Sequence, residues 1–249
     1  MSYELSAISC CETYDSIKDI KLFQAKTGYR FSVVALLLED FISASRYVGT
    51  KGFELGAGSG IISILLAKRN KNIKKIIAVE IQHSFAERAK RNVELNKLGE
   101  RIEVLAEDIK NLRKIFPPNK SDFVFSNPPF RKTKSGLLSI DEERAVARHE
   151  IKITLPDIIS TASYLIKNTG RFYLIYHPFR LIELIMLLRN ARLEPKRMRF
   201  VHSSIGEEAK MVLIEAVKGS GQWLKIEPPL YIYEKGSEYT DEMKRIYGE

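Results

Sequence analysis

The chain has 249 residues, 45% of them hydrophobic, with 40 Lys+Arg against 31 Asp+Glu for a formal charge of +9. That length and apolar content suffice for one large core, while no run approaches the ~18 apolar residues of a membrane-spanning helix. Early Glu4, Glu12 and Asp15 do not fit a signal peptide, so a cytoplasmic protein is expected.

The positive balance suits a polyanionic partner without requiring one. Cys10 and Cys11 are adjacent, a spacing that disfavours an intramolecular disulfide and provides no metal-ligand pattern; reduced thiols and no structural metal are expected. Residues 1–31 combine short apolar runs, such as Ile20-Lys21-Leu22-Phe23-Gln24, with a turn near Gly28, and read as a β-rich N-terminal cover. Ser32 can cap a strongly apolar helix beginning at Val33. Arg30, just before it, reads either as an exposed arginine at a helix entrance or as a cation that meets a ligand carboxylate.

Gly52-Phe53-Glu54-Leu55 reads as a strand, followed at once by Gly56-Ala57-Gly58-Ser59-Gly60 and an apolar helix from Ile61. A strand, a Gly-rich turn and a helix form the first unit of a nucleotide-binding α/β fold. The dinucleotide pattern G-x-G-x-x-G fails here, since its last position falls on Ile61 or Ser63. Acidic-Leu-Gly-x-Gly-x-Gly instead resembles the first motif of class I S-adenosylmethionine-dependent methyltransferases, whose loop wraps the methionine part of the cofactor.

The next strand, Lys75–Val79, ends in Glu80, with Ile81 following. A carboxylate at this position accepts hydrogen bonds from ribose hydroxyls in nucleotide-binding folds; alone it also reads as a solvated strand end. Ser84 and Glu87 match a capping box for a helix to about Asn96, stopped by Gly99. Strand Ile102–Leu105 leads to Asp108-Ile109, where Asp108 suits an adenine amino group with Ile109 against the ring, and also suits a helix N-cap.

Asp122-Phe123-Val124-Phe125 then predicts a buried strand ending in Ser126-Asn127-Pro128-Pro129-Phe130. Asn127 offers an acceptor oxygen and two donor hydrogens, and the prolines lack N–H groups, leaving carbonyls free to accept. Phe130 adds a flat apolar face, so the group suits a planar molecule with an NH2, such as a flipped nucleobase. The bland reading is a Pro-Pro turn with a buried Phe. Four successive strands thus end in polar groups that share one edge of a parallel sheet, where ligands of such sheets bind.

Together with Tyr29-Arg30-Phe31-Ser32, Val79-Glu80-Ile81-Gln82, Ala147-Arg148-His149-Glu150, Leu193-Glu194-Pro195-Lys196-Arg197 and Val212-Leu213-Ile214-Glu215, these motifs resemble the bacterial tRNA-valine adenine-N6 methyltransferases over most of the chain. The resemblance implies an α/β fold with a seven-stranded Rossmann-like sheet covered by helices on both faces. It implies S-adenosylmethionine as cofactor, held by Arg30, Glu54, Gly56, Ala57, Gly58, Gly60, Glu80, Ile81, Asp108, Ile109 and Asn127. Catalysis would fall to Asn127, Pro128, Pro129 and Phe130, with an adenine beside the anticodon of a tRNA as acceptor. Relatives with Asn-Pro-Pro-aromatic sites also methylate DNA adenine, rRNA guanine amino groups and protein glutamine, and a nucleic-acid-binding protein without catalysis is a further alternative.

The polar stretch after Phe130 reads as a lid whose Arg131, Lys132, Lys134, Arg148 and His149 either contact substrate phosphates or are simply solvated. His83, His177 and His202 read as structural or surface residues, and Trp223 as core or hairpin packing. The expected organisation is an N-terminal cover over 1–31, a methyltransferase domain over 32–235, and a short helix or tail over 236–249.

Overall fold

The computed structural model describes residues 12–26, 33–45, 47–128 and 153–249. It opens with a hairpin, β1 (Glu12–Ile17) and β2 (Ile20–Ala25), turned by Lys18 with φ of 51°. The hairpin is fastened by the helix α3 (His83–Leu95). Asn92 accepts from Phe23 N at 2.7 Å and donates to Phe23 O at 3.1 Å. Asn96 treats Lys21 in the same way, at 3.2 and 2.7 Å. Asparagines four apart on a helix face alternate residues of a strand, so two side-chain amides satisfy backbone groups of β2 as a third strand would. Glu12, 5% exposed, accepts from Arg88 at 2.8 Å and Arg91 at 2.5 Å on the same helix.

The main sheet contains β3 (Lys51–Leu55), β4 (Lys75–Glu80), β5 (Ile102–Ala106), β6 (Ser121–Ser126), β7 (Ile166–Tyr176), β8 (Leu193–His202) and β9 (Ala209–Lys218). Their order is β8-β9-β7-β6-β3-β4-β5, with β5, β4, β3, β6 and β7 parallel and β9 antiparallel to both β7 and β8. These are the seven strands anticipated from the sequence. Two further pairs of residues, β10 (Lys225–Ile226) and β11 (Leu230–Tyr231), lie parallel to β8 along its outer edge, so the sheet has nine strands. An open β8 would present unpaired backbone groups, and the passing C-terminal segment satisfies them.

Side chains alternate across the sheet, as a period of two requires. Phe123, Phe125, Tyr173 and Ile175 enter one buried cluster with α1 (Val33–Ser43), α2 (Ile61–Arg69) and α3; Val124, Phe172, Leu174 and Tyr176 enter the other with α5 (Leu155–Leu165) and α6 (Leu181–Asn190). Between these last helices and β5 lies the short α4 (Leu112–Ile115). Close packing of β3 on β6 depends on Gly52, where a Cβ would fall 2.4 Å from the ring of Phe123.

Several sequence-based expectations change. α3 starts at His83 with Gln82 as N-cap and no side-chain cap; Glu87 pairs instead with Lys90 at 2.9 Å, and the left-handed residue after the helix is Lys97. The start is displaced from Ser84 because the carboxylate of Glu80 takes the N–H of Gln82 and fixes the chain before the helix begins. Trp223 is 78% exposed, because the β10 segment lies on the sheet edge, with one side open, rather than in the core. The C-terminal segment forms α7 (Asp241–Tyr247), whose Met243 and Ile246 are buried and whose Arg245 reaches Asp40 of α1 at 3.2 Å. No helix among the described residues is long and apolar enough to cross a membrane.

Candidate active site

The loop after β3 turns through three left-handed glycines, Gly56, Gly58 and Gly60, with φ of 80°, 55° and 79°. L side chains avoid that region, so the sequence must place glycines there. The turn folds over the end of β4: the N–H groups of Gly56 and Ala57 both donate to Val79 O, at 3.0 and 2.9 Å, and Gly58 N donates to Glu80 Oε2 at 2.9 Å. A Cβ on Gly56 would meet nothing among the described residues within 4 Å, which leaves a face of the loop open to them; on Gly60 it would press to 3.3 Å against Ala89 Cβ, so that glycine seats the loop on α3.

Glu80 is 5% exposed, and its other oxygen accepts from Gln82 N at 2.9 Å. No cation pairs with it among the described residues. Each carboxylate oxygen has two acceptor sites, so one per oxygen is left after the backbone N–H bonds. A carboxylate fixed by two backbone N–H groups with acceptor capacity to spare matches a vicinal diol.

Glu54 departs from the sequence reading. Its carboxyl is 1% exposed and accepts from the hydroxyl of Ser63 on α2, so it locks strand to helix beneath the loop. Burial, with the charge of Glu80 nearby, raises its pKa to about 8 despite that hydrogen bond. Ile109 is likewise 1% exposed and packs with Val79 and Leu112, so its side chain belongs to the core instead of standing open to a ring. Asp108 accepts from Lys110 N at 2.9 Å, the N-cap of a 3-10 turn. Glu107 stiffens the same corner by accepting from Asp108 N at 2.8 Å and Asn111 Nδ2 at 2.9 Å.

Asn127 and Pro128 leave β6, which lies directly beside β3 with Glu54 opposite Phe125. Ser126 Oγ donates to Leu55 O at 2.6 Å, tying the end of β6 to the residue before Gly56. Asn92 adds a second tie by donating to Ser59 O at 2.9 Å within the loop. The glycine loop, Glu80, Asp108 and Asn127 therefore meet at one sheet edge, with Ile81 just beyond β4. Arg30, Pro129, Phe130, Arg131, Lys132, Lys134, Arg148 and His149 lie outside the described residues, as do Cys10 and Cys11.

Sequence reasoning gave no separate role to Ser63, Asn92, Glu107 or Ser126. Ser126 and Glu107 had a usable signal, each adjoining a proposed site residue at a strand end. Asn92, one of several polar residues on a helix, had none.

The family model of the methyltransferase small domain matches residues 33–187. The chain belongs to this family. As a member of the methyltransferase small domain family it is 32% identical over 164 residues to a protein of Porphyromonas gingivalis named tRNA1(Val) (adenine(37)-N6)-methyltransferase, covering 65% of this chain and 63% of that protein. A protein of the same name from Trichodesmium erythraeum is 32% identical over 160 residues, 64% of this chain and 65% of its own length. The chain thus matches somewhat less than two thirds of these curated relatives. Among solved structures, a predicted O-methyltransferase from Agrobacterium tumefaciens superposes with a TM-score of 0.68 at 26% identity, over 86% of this chain and 95% of that one. The α/β architecture of this member of the methyltransferase small domain family is accordingly the class I methyltransferase sheet.

Proposed function

We propose that the chain is an S-adenosylmethionine-dependent methyltransferase that modifies the exocyclic N6 amino group of an adenine in RNA, with tRNA-valine beside the anticodon as the substrate suggested by the relatives' names. What supports this reading is the hydrogen bond from Ser126, the residue before Asn127-Pro128, to the carbonyl of Leu55, the residue before the glycine loop, whose Gly58 in turn donates to the Glu80 carboxylate. The residues present fit the cofactor. The space over Gly56 admits a ligand close to the backbone, and Glu80, which pairs with no cation among the described residues, suits a ribose diol.

When bound, the cofactor would supply a sulfonium methyl, so that the N–C bond to the amine forms as the S–C bond breaks and one N–H proton of the amine is lost to solvent. The protein's task is to present a weak nucleophile, since the adenine amine lone pair is delocalised into the ring. Asn127 Oδ1 and the Pro128 carbonyl each accept one N–H of that amine, which makes the nitrogen more tetrahedral and aims its lone pair. Holding reacting groups in line in this way is worth roughly 7–11 kcal/mol. Phe130 would stack on the base, and Arg131, Lys132, Lys134, Arg148 and His149 would contact phosphates. An acceptor of another kind, such as a hydroxyl, has no need of two converging hydrogen-bond acceptors; the Asn-Pro pair favours an amino group.

Incubating an anticodon stem-loop with the protein and cofactor, followed by mass spectrometry of the nucleosides, tests the reading. N6-methyladenosine is expected. Methylation of guanine, or of protein glutamine in a nuclease-treated fraction, would move the assignment, and no transfer at all would leave a binding protein on this fold.

A further inference from the structure

β7 runs beside β6 in parallel register, Leu174 opposite Ser126, so the chain leaving β7 at Tyr176 emerges at the same sheet edge as Asn127. A 3-10 turn, Pro178–Arg180, then leads into α6. On it Phe179 is 66% exposed, followed at helical spacing by Ile182 at 79% and Met186 at 60%.

The turn that carries Phe179 is firmly built. Arg180 donates to Tyr176 Oη at 2.5 Å and to both carboxylate oxygens of Glu183 at 2.8 Å, and its guanidinium lies 5.5 Å from the Tyr176 ring centre. Pro178 restricts the backbone at the first position. The His177 ring packs against Phe179 with centroids 5.1 Å apart, inclined by 35°. The aromatic ring is held outward at little remaining entropic cost to a ligand, and Glu183 offsets the adjoining positive charge. What the turn offers is a flat apolar face.

We propose that Phe179, backed by His177, is the stacking platform for the nucleotide adjoining the acceptor adenine, with Ile182 extending the contact. The inference rests on the RNA-adenine reading above. Extruding a base for chemistry leaves its neighbours unstacked, and an exposed aromatic one strand from the acceptor site offers them a new partner. The chain's formal +9 favours a polyanionic strand on this edge over a second copy of the same basic protein.

The test uses an anticodon stem-loop with 2-aminopurine beside the acceptor adenine, and full-length wild type, Phe179→Ala and Phe179→Tyr, each checked for folding by circular dichroism. Stacking should quench the wild-type signal. Phe179→Ala should lose the quench and raise KM for the RNA about ten- to a hundredfold, the magnitude of one base–aromatic stack, with far less effect on kcat; Phe179→Tyr should restore both. Unchanged quench and KM in Phe179→Ala would overturn the proposal. So would a change confined to oligomeric state by sedimentation, which would make this face a protein contact. Nucleoside analysis of the same reactions keeps the two readings apart: wild type that makes no N6-methyladenosine sinks the adenine assignment, whereas wild type that makes it while Phe179→Ala behaves identically sinks only the platform.

Discussion

Ser126 Oγ donates to the carbonyl of Leu55 at 2.6 Å, a side-chain contact that extends the ladder between β3 and β6 to the point where one strand leads into Asn127 and the other into the glycine loop. Both residues are buried, at 0% and 1% exposure, so water cannot replace the bond. Ser126→Ala should cost about 1–3 kcal/mol of stability, the penalty for stranding a buried acceptor. It should also lower turnover more than cofactor affinity, because Asn127 shifts relative to a loop that β4 still holds. Thermal denaturation with steady-state kinetics checks this; a variant with lowered Tm and wild-type kcat would show a purely structural contact.

Glu80 is the next target, since both its oxygens are already positioned by Gly58 N and Gln82 N at 2.9 Å. Removing the carboxylate in Glu80→Ala takes away a charged acceptor worth about 1.5–3 kcal/mol. Calorimetry should show cofactor affinity reduced correspondingly. Glu80→Gln should lie between the two, because its amide keeps one acceptor oxygen but replaces the other with a donor that faces a backbone N–H. Equal affinity in all three proteins would exclude the ribose role.

Asn127 separates chemistry from binding. Asn127→Ala should lose roughly 10²–10³ in single-turnover rate, comparable with deleting one donor of an oxyanion hole, while cofactor affinity changes little because the loop and Glu80 remain in place. Asn127→Asp keeps an acceptor but adds a negative charge, and is expected to tighten binding of the cationic cofactor without recovering the rate. A folded alanine variant that turns over normally would refute the amino-group mechanism.

Glu54 makes stability depend on pH. Burial raises its folded pKa to about 8 against 4.5 for the free side chain, so between those values the folded state holds a proton that the unfolded chain has released. The stabilising contribution is complete below about pH 4.5 and is lost as pH rises toward 8, at up to about 1.4 kcal/mol per pH unit. Cofactor-free protein should therefore lose Tm over this window, and Glu54→Gln, neutral throughout, should flatten the profile. Parallel profiles for the two proteins would mean that Glu54 is ionised in the fold.

The parallel core and the positions of the polar residues at its edge were legible in the residues themselves. Left-handed turns demand glycine, and strand-end acids follow each apolar run, so Gly56, Gly58, Gly60, Glu80 and Asp108 could be located by local rules alone. Asn127-Pro128 could be found in the same way, because its identity and its position after a β-prone run are both local facts. What those side chains do was decided by partners distant in sequence. Glu54 reads as the acid that opens the glycine motif, a cofactor-binding residue by resemblance, until the fold brings Ser63 onto it and shuts out water. Ile109 looks like a ring contact until packing against Leu112 draws it into the core. Trp223 reads as core or hairpin packing, and only the placement of β10 along the outside of β8 leaves it in solvent. The ties of Asn92 to Phe23 and Ser59 span 69 and 33 residues. Hydrophobic period and turn chemistry report on neighbours within a few positions; a hydrogen bond between side chain and backbone across such distances leaves no period in the chain, and exists only once the sheet and its helices have closed around it.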